Sequence, residues 1–283
     1  MDKKILILGS SGFLGRQLTP YLINIGYKVF RPSTKIIKSK MAFQKISRLI
    51  KKEGINTVIN LIANTNVDFC EHYPLRAYES NVGTLEKFMD VFAYSDIHFI
   101  HISTDQVYFG NGPHLEENPH PINVYGKTKL LAEYVAMNFN STILRTNFVG
   151  KSDHKERLSF SDWIINSVRD QKKITLFDDV LFSPLAVPDI CKFIHIVIQK
   201  NNRGLYNLGS RDVISKAEFG FELLKNLGIG SECVSKGNYK DHNKGVSRPN
   251  DMSLDVKKFE RDFCLTLPTM NETIRNVYQQ YKS

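Results

Sequence analysis

The 283-residue chain predicts an α/β fold, a doubly wound parallel sheet with a smaller C-terminal domain. Three observations carry that expectation. The apolar run 3–8 (KKILIL) leads through a glycine turn into a segment of helical period. Strand-like runs at 3–8, 28–31, 57–62, 98–102 and 141–145 alternate with helical patterns at 13–26, 42–53, 74–94 and 125–139. After about residue 149 that alternation fades. Alternation of this kind covers both faces of a parallel sheet with helices through right-handed crossovers.

The first strand is a continuous apolar run, as expected of a strand buried on both faces. Gly9, Gly12 and Gly15 follow it in GSSGFLG. The first helix has Phe13, Leu14, Leu18, Leu22 and Ile25 at three- and four-residue steps. Pro20 inside it predicts a kink or a shortened first part. Such a turn lets pyrophosphate oxygens approach the backbone and the helix N-terminus. Gly9, Ser11, Gly12, Phe13, Leu14 and Gly15 are therefore the candidate cradle for a dinucleotide. The second strand runs into Arg31, with Ser33 and Lys35 beyond it and no acid at that point. An acid there would hold the ribose hydroxyls of NAD, whereas a cation neutralises a 2′-phosphate, so NADP(H) is favoured over NAD(H). Along 74–94, Leu85, Phe88, Met89 and Phe92 trace one apolar face.

The chemistry centres on the fourth strand and the helix after it. His98 to Ile102 (HFIHI) leads into Ser103-Thr104-Asp105, a hydroxyl at the strand end where α/β sites form. Tyr125 and Lys129 stand four residues apart in YGKTKLLAEYVAMN, on one face of an amphipathic helix. An ammonium beside a phenol stabilises phenolate and lowers the tyrosine pKa. Tyr125 can then pass a proton to a carbonyl oxygen while hydride arrives at carbon, with Thr104 orienting that carbonyl. Thr104, Tyr125 and Lys129 are the candidate catalytic residues. The loop 109–124 (FGNGPHLEENPHPINV) is long enough to shape a site mouth.

In the C-terminal part, 159–171 (SFSDWIINSVRDQ) reads as a helix with Phe160, Trp163 and Ile164. Residues 174–179 and 203–210 read as strands, and 216–228 as a helix ending at Gly228. Trp163, the sole tryptophan, reads as a core or interdomain residue, with the lining of a sugar pocket as the alternative. The polar stretch 235–245 reads as an exposed loop or a lid.

Composition is consistent with this and narrows the partners. Lysine and arginine number 38 against 29 acids, a net charge of +9 that suits anionic ligands. The lysines are scattered, with no basic run interleaved with aromatics, so no nucleic acid is expected. Cys70, Cys191, Cys233 and Cys264 form no CxxC pair and read as small apolar filler in a reducing compartment, giving no metal site. His98, His101 and His195 lie in apolar patterns and read as core, whereas His114 lies in a polar loop. The chain opens MDKKILILG, straight into a strand, and no apolar run reaches spanning length. A cytoplasmic protein with no membrane partner is the expectation, with a homodimer as the default assembly.

These motifs together resemble the extended short-chain dehydrogenase/reductases, whose cofactor domain is of the Rossmann type. Within them the chain is similar to the dTDP-4-dehydrorhamnose reductases over nearly its whole length. The similarity runs through VINLIANTNVDFCE (58–71), STDQVY (103–108), YGKTK (125–129), LRTNFVG (144–150), DVLFSP (179–184) and RPNDMSLD (248–255). The resemblance implies a cofactor domain at 1–148 and a mainly substrate-binding domain at 149–283, with segments returning to the first. It places Leu61, Ala63 and Thr65 beside the cofactor and Asn81 on a helix packed behind the site. It assigns Asp105, Gln106, Asn147, Trp163 and Arg248 to the substrate, the arginine facing a diphosphate. The implied substrate is a nucleoside-diphosphate 4-keto-6-deoxy sugar reduced at C4 for cell-surface polysaccharide. Gln106 stands where relatives carry an aromatic residue, Phe148 replaces a tryptophan, and 36–43 lacks the usual acid. A dehydratase of the same superfamily would need a glutamate where Gln106 stands, and an epimerase would hold NAD. A non-catalytic regulatory subunit that keeps the dinucleotide site is the third alternative.

Overall fold

The computed structural model describes residues 3–92, 95–154, 158–242 and 245–282. They form two compact units, 1–104 with 123–145 and 191–206, and 105–122 with 146–190 and 207–283.

The first unit is built on a parallel sheet. Its strands are β1 (Lys4–Leu8), β2 (Lys28–Phe30), β3 (Thr57–Asn60), β4 (His98–Thr104), β5 (Ser141–Thr146) and β6 (Gly204–Leu208). The spatial order is β6-β5-β4-β3-β1-β2. The division between the units falls inside β5, after Arg145, and inside β6, after Tyr206. Parallel register is seen at Ile5 opposite Val29, Leu6 opposite Val58 and Ile59 opposite Ile100. The chain order reverses about β1, so the crevice beyond the strand ends near β1 and β3 is the expected ligand position. β1, β3, β4 and β5 are buried almost throughout, which is why they read as apolar runs. Leu6, Leu8, Ile46, Ile50, Val58, Leu85, Phe88, Phe92, Phe99 and Phe139 form the core of this unit.

Two helices depart from expectation. The first runs unbroken from Phe13 to Asn24 through Pro20. Proline removes the N–H that would bond the Arg16 carbonyl, but both residues are exposed, so the orphaned carbonyl lies on the solvent side of the helix. The single helix expected over 74–94 is instead Pro74–Asn81, Gly83–Glu86 and Met89–Phe92. The break falls where the Asn81 side chain is drawn onto Asn64 and Gly83 weakens the helix. Leu85, Phe88 and Phe92 stay buried across it.

The second unit has small sheets and longer helices. Ile214–Ser215, Leu181–Phe182 and Asp251–Met252 make a three-stranded sheet in that order. Ile174–Phe177 pairs in parallel with Val234–Gly237, and Phe148–Val149 with Leu185–Ala186. The helices Phe160–Arg169 and Lys216–Leu227 both open with capping boxes, Ser159 with Asp162 and Ser215 with Glu218. The second ends at Gly228 as the sequence indicates. Ile164, Leu176, Phe182, Phe219, Leu223, Ile274 and Val277 fill this unit's core.

Three smaller points differ from expectation here. Trp163 is 39% exposed rather than core, stacked on Phe160 at 6.0 Å. His114 stays in the loop the sequence indicates but is buried there, parallel to the Tyr108 ring at 4.8 Å and bonded to the Asp251 carbonyl. The stretch read as a loop or lid contains Val234–Gly237 and a short helix, Tyr239–His242, while residues 243 and 244 lie outside the described residues. Strand pairing with Ile174–Phe177 and an Asp179 carboxylate accepting from the Tyr239 N–H hold it. Of the cysteines, Cys70 and Cys191 are buried filler, but Cys264 is exposed.

Candidate active site

The glycine turn is shaped by close approach. Gly9 adopts φ +87°, and a Cβ there would stand 2.9 Å from the Leu61 carbonyl carbon at the end of β3. A Cβ on Gly15 would sit 2.6 Å from the Gly9 oxygen, so the helix can lie this close to β1 only without a side chain. The Gly12 N–H donates to the Gly9 carbonyl at 3.1 Å, closing the turn. Gly12 is the helix N-cap and offers no side-chain oxygen to the first turn. Phe13 and Leu14 open the helix behind an exposed Ser11, whose carbonyl accepts from Arg16. A cradle with a positive helix end and no room for Cβ atoms fits a dinucleotide pyrophosphate.

The neighbouring strand ends complete this side. Arg31 follows β2 directly and is exposed. Leu61 continues β3 with its N–H on the Leu8 carbonyl at 2.9 Å, Ala63 is half-buried and Thr65 is exposed. Buried Asn81 holds this loop: its Oδ1 accepts from the Asn64 N–H at 2.6 Å and its Nδ2 donates to Thr128 at 3.0 Å. Thr128 in turn donates to the Tyr125 carbonyl. One asparagine thus ties the loop after β3 to the tyrosine helix.

That helix, Val124–Ala136, starts at Asn123, whose side chain accepts from the Gly126 N–H at 2.8 Å. Tyr125 and Lys129 lie one turn apart and are both buried. Thr104 is the last residue of β4, also buried. The Lys129 Nζ donates to the Ile102 carbonyl at 2.6 Å, two residues before Thr104, so strand end and helix converge. Burial pulls Lys129 down to about 8, against Glu133, which raises it. Beneath lies a buried ion pair that the sequence did not reveal. Glu133 accepts from Arg145 at 2.6 and 3.0 Å and from the Ser103 hydroxyl, pinning helix to β4 and β5.

Within the second unit, Asp105 and Gln106 form a short turn, Asp105–Val107. Asp105 is buried and accepts from the Asn147 side chain at 2.6 Å. Arg248 is half-buried with Nη1 on the Val246 carbonyl. Lys216, missed in the sequence, opens its helix with Nζ over the Phe160 ring at 5.4 Å. Burial lowers its pKa, Asp105 opposes that shift and Arg248 adds to it, so the three charges act on one another. A lysine at a helix start gave no signal, because only folding brings it toward Asp105. Trp163 lies on the adjoining helix, exposed.

A glycine cradle at the first strand turn, a strand-end threonine and a Tyr-x-x-x-Lys helix define an extended short-chain dehydrogenase/reductase. The chain belongs to the RmlD substrate binding domain family, whose model matches residues 3–283. Among similar proteins is the dTDP-4-dehydrorhamnose reductase of Sinorhizobium fredii, 28% identical over 82% of each chain. The spore coat polysaccharide biosynthesis protein SpsK of Bacillus subtilis is 27% identical, also over 82% of each. The structure of dTDP-4-dehydrorhamnose reductase from Bacillus anthracis in complex with NADP superposes with a TM-score of 0.88 at 22% identity, covering 99% of both chains.

Proposed function

We propose that this protein reduces the 4-keto group of a nucleoside-diphosphate 4-keto-6-deoxy sugar with NADPH, in the synthesis of cell-surface polysaccharide. The observation that carries the proposal is the convergence of Lys129, one turn beyond Tyr125, on the end of β4 beside Thr104. The reductase activity named for one relative and the polysaccharide biosynthesis named for the other support it.

A bound nicotinamide supplies the hydride to the sugar C4. Tyr125 donates its phenolic proton to the C4 oxygen, and Thr104 orients that oxygen by hydrogen bonding. Lys129, in its charged form, stabilises the phenolate left behind and holds the nicotinamide ribose. Gly9, Ser11, Gly12, Phe13, Leu14 and Gly15 cradle the pyrophosphate, and Leu61, Ala63 and Thr65 flank the cofactor. Arg31 is placed to neutralise a 2′-phosphate, which favours NADP over NAD. Asp105, Gln106, Asn147, Trp163 and Arg248 belong to the sugar nucleotide, with Arg248 on the diphosphate. Residues 1–148 would then bind mainly cofactor and 149–283 mainly substrate. Gln106 cannot serve as the extra acid–base group of a dehydratase, which favours simple reduction. Among the described residues no helix is long and apolar enough to cross a membrane. A cytoplasmic homodimer is the working assembly.

The test is NADPH oxidation with dTDP-4-keto-6-deoxy-L-lyxo-hexulose generated in situ. Tyr125→Phe is expected to lose on the order of a hundred-fold or more in turnover, the scale of one acid–base group. Near-wild-type turnover by that variant would sink the mechanism.

A further inference from the structure

His101 is wholly buried on β4 between Asn60 of β3 and Lys129 of the tyrosine helix. Its surroundings determine which nitrogen bears the proton. The backbone N–H of Ile62 donates to the Asn60 Oδ1 at 3.2 Å, and that donor never changes state. The Asn60 amide is thereby oriented, and its Nδ2 donates to the His101 Nδ1 at 3.0 Å. Nδ1 must accept, so the neutral ring carries its proton on Nε2. That N–H points at the Lys129 Nζ, 3.4 Å away.

An ammonium has three donors and no acceptor, so a charged Lys129 would meet the ring donor to donor. A neutral amine has a lone pair for the Nε2–H, and an N–H left for the Ile102 carbonyl at 2.6 Å. We infer that Asn60 and His101 form a tautomer lock on Lys129: in the cofactor-free protein at alkaline pH the neutral amine, not the ammonium, completes the hydrogen bonds around it. The inference rests on the reading of Lys129 as the cationic partner of Tyr125.

The charged group that acts on Lys129 is Glu133. Tyr125 and Glu133 share its helix, and Glu133 is engaged by Arg145 of β5 and Ser103 of β4. His101 itself is held neutral by burial first, and by the Lys129 charge second for as long as the lysine stays protonated. Burial likewise draws Lys129 down to about 8, in the direction the lock requires. The sign follows. Below that pH Lys129 takes up a proton, the contact to Nε2–H is lost, and the ammonium is available to ribose hydroxyls. As pH rises through it, the amine seats against His101 and cofactor affinity falls.

Two-bond proton–nitrogen correlation spectra of the cofactor-free wild type, with histidine labelled on nitrogen, read the tautomer directly. His101, assigned by its loss in His101→Phe, is expected to show a protonated Nε2 and a bare Nδ1. Asn60→Asp should invert it: a carboxylate still accepts from Ile62 but demands a proton on Nδ1, turning the Nε2 lone pair to the ammonium. In that variant the pH at which NADPH affinity falls, followed by cofactor fluorescence, should move up by one unit or more. A wild-type ring protonated on Nδ1, or the same pH limit in both proteins, overturns the lock. Failure of every 4-keto sugar to turn over would sink the reductase reading alone, because tautomer and NADPH affinity are read without substrate.

Discussion

Gly9 shows how much one residue can decide. Its φ of +87° and the 2.9 Å that a Cβ would leave to Leu61 cannot both be relieved by small movements. Gly9→Ala is expected to cost about 1–3 kcal/mol, the scale of a strained backbone position, and to weaken NADPH binding with it. Urea denaturation read beside cofactor fluorescence would check both, and unchanged stability would contradict the strain. Arg31 acts by charge. Replacing Arg31 by Asp removes a hydrogen bond to a charged group, worth about 1.5–3 kcal/mol, so the NADPH-to-NADH preference should fall roughly tenfold or more. Equal losses for both cofactors would remove Arg31 from selectivity. Gly9, Arg31, Tyr125 and Lys129 were all legible in the sequence, because turn, charge and four-residue spacing are local properties. His101 was legible only as a core histidine, since its partners come from two other elements.

The tyrosine helix shows what joins one element to another. Its buried Glu133 meets Arg145 of β5 and Ser103 of β4, with side chains 0% and 1% exposed in the ion pair. Breaking a buried pair on one side strands the other charge, at about 3–5 kcal/mol. Arg145→Met should lower unfolding free energy by that amount in urea titration, whereas a loss under about 1 kcal/mol would show that water reaches Glu133. Sequence periodicity placed the ends of this helix and of the strand before it to within three residues. It did not show the breaks in 74–94, because Leu85, Phe88 and Phe92 keep helical spacing through the gap between Glu86 and Met89. The cause is tertiary: Asn81 bonds Asn64 and Thr128, and the backbone follows its side chain.

At the scale of the molecule, a chain of net charge +9 is proposed to take two anionic ligands. Long-range attraction of that kind raises encounter rates and is screened by salt, with a Debye length of about 8 Å at about 0.15 M. The kcat/KM for the sugar nucleotide is therefore expected to fall several-fold between about 0.01 and about 0.3 M salt, with kcat held, a contrast steady-state kinetics would resolve. A flat profile would assign the surplus lysines to solubility alone. The chain changes unit repeatedly, so 105–122 groups with the C-terminal half and 191–206 with the sheet. Strand β6 was recognised as a strand, but its place at the edge of the parallel sheet, next to β5, appears only in the fold.

The sequence by itself determined the parallel α/β architecture, the glycine turn between the first strand and helix, and the places of Thr104 at a strand end and of Tyr125 and Lys129 on one helix, because each is written in short-range pattern. Tertiary structure alone decided the Glu133–Arg145 pair, the approach of Lys216 to Asp105 and the Asn60–His101–Lys129 chain. Those groups are distant in sequence and carry no periodicity. Their charges and protons acquire a set value only when folding removes water and leaves a few fixed partners.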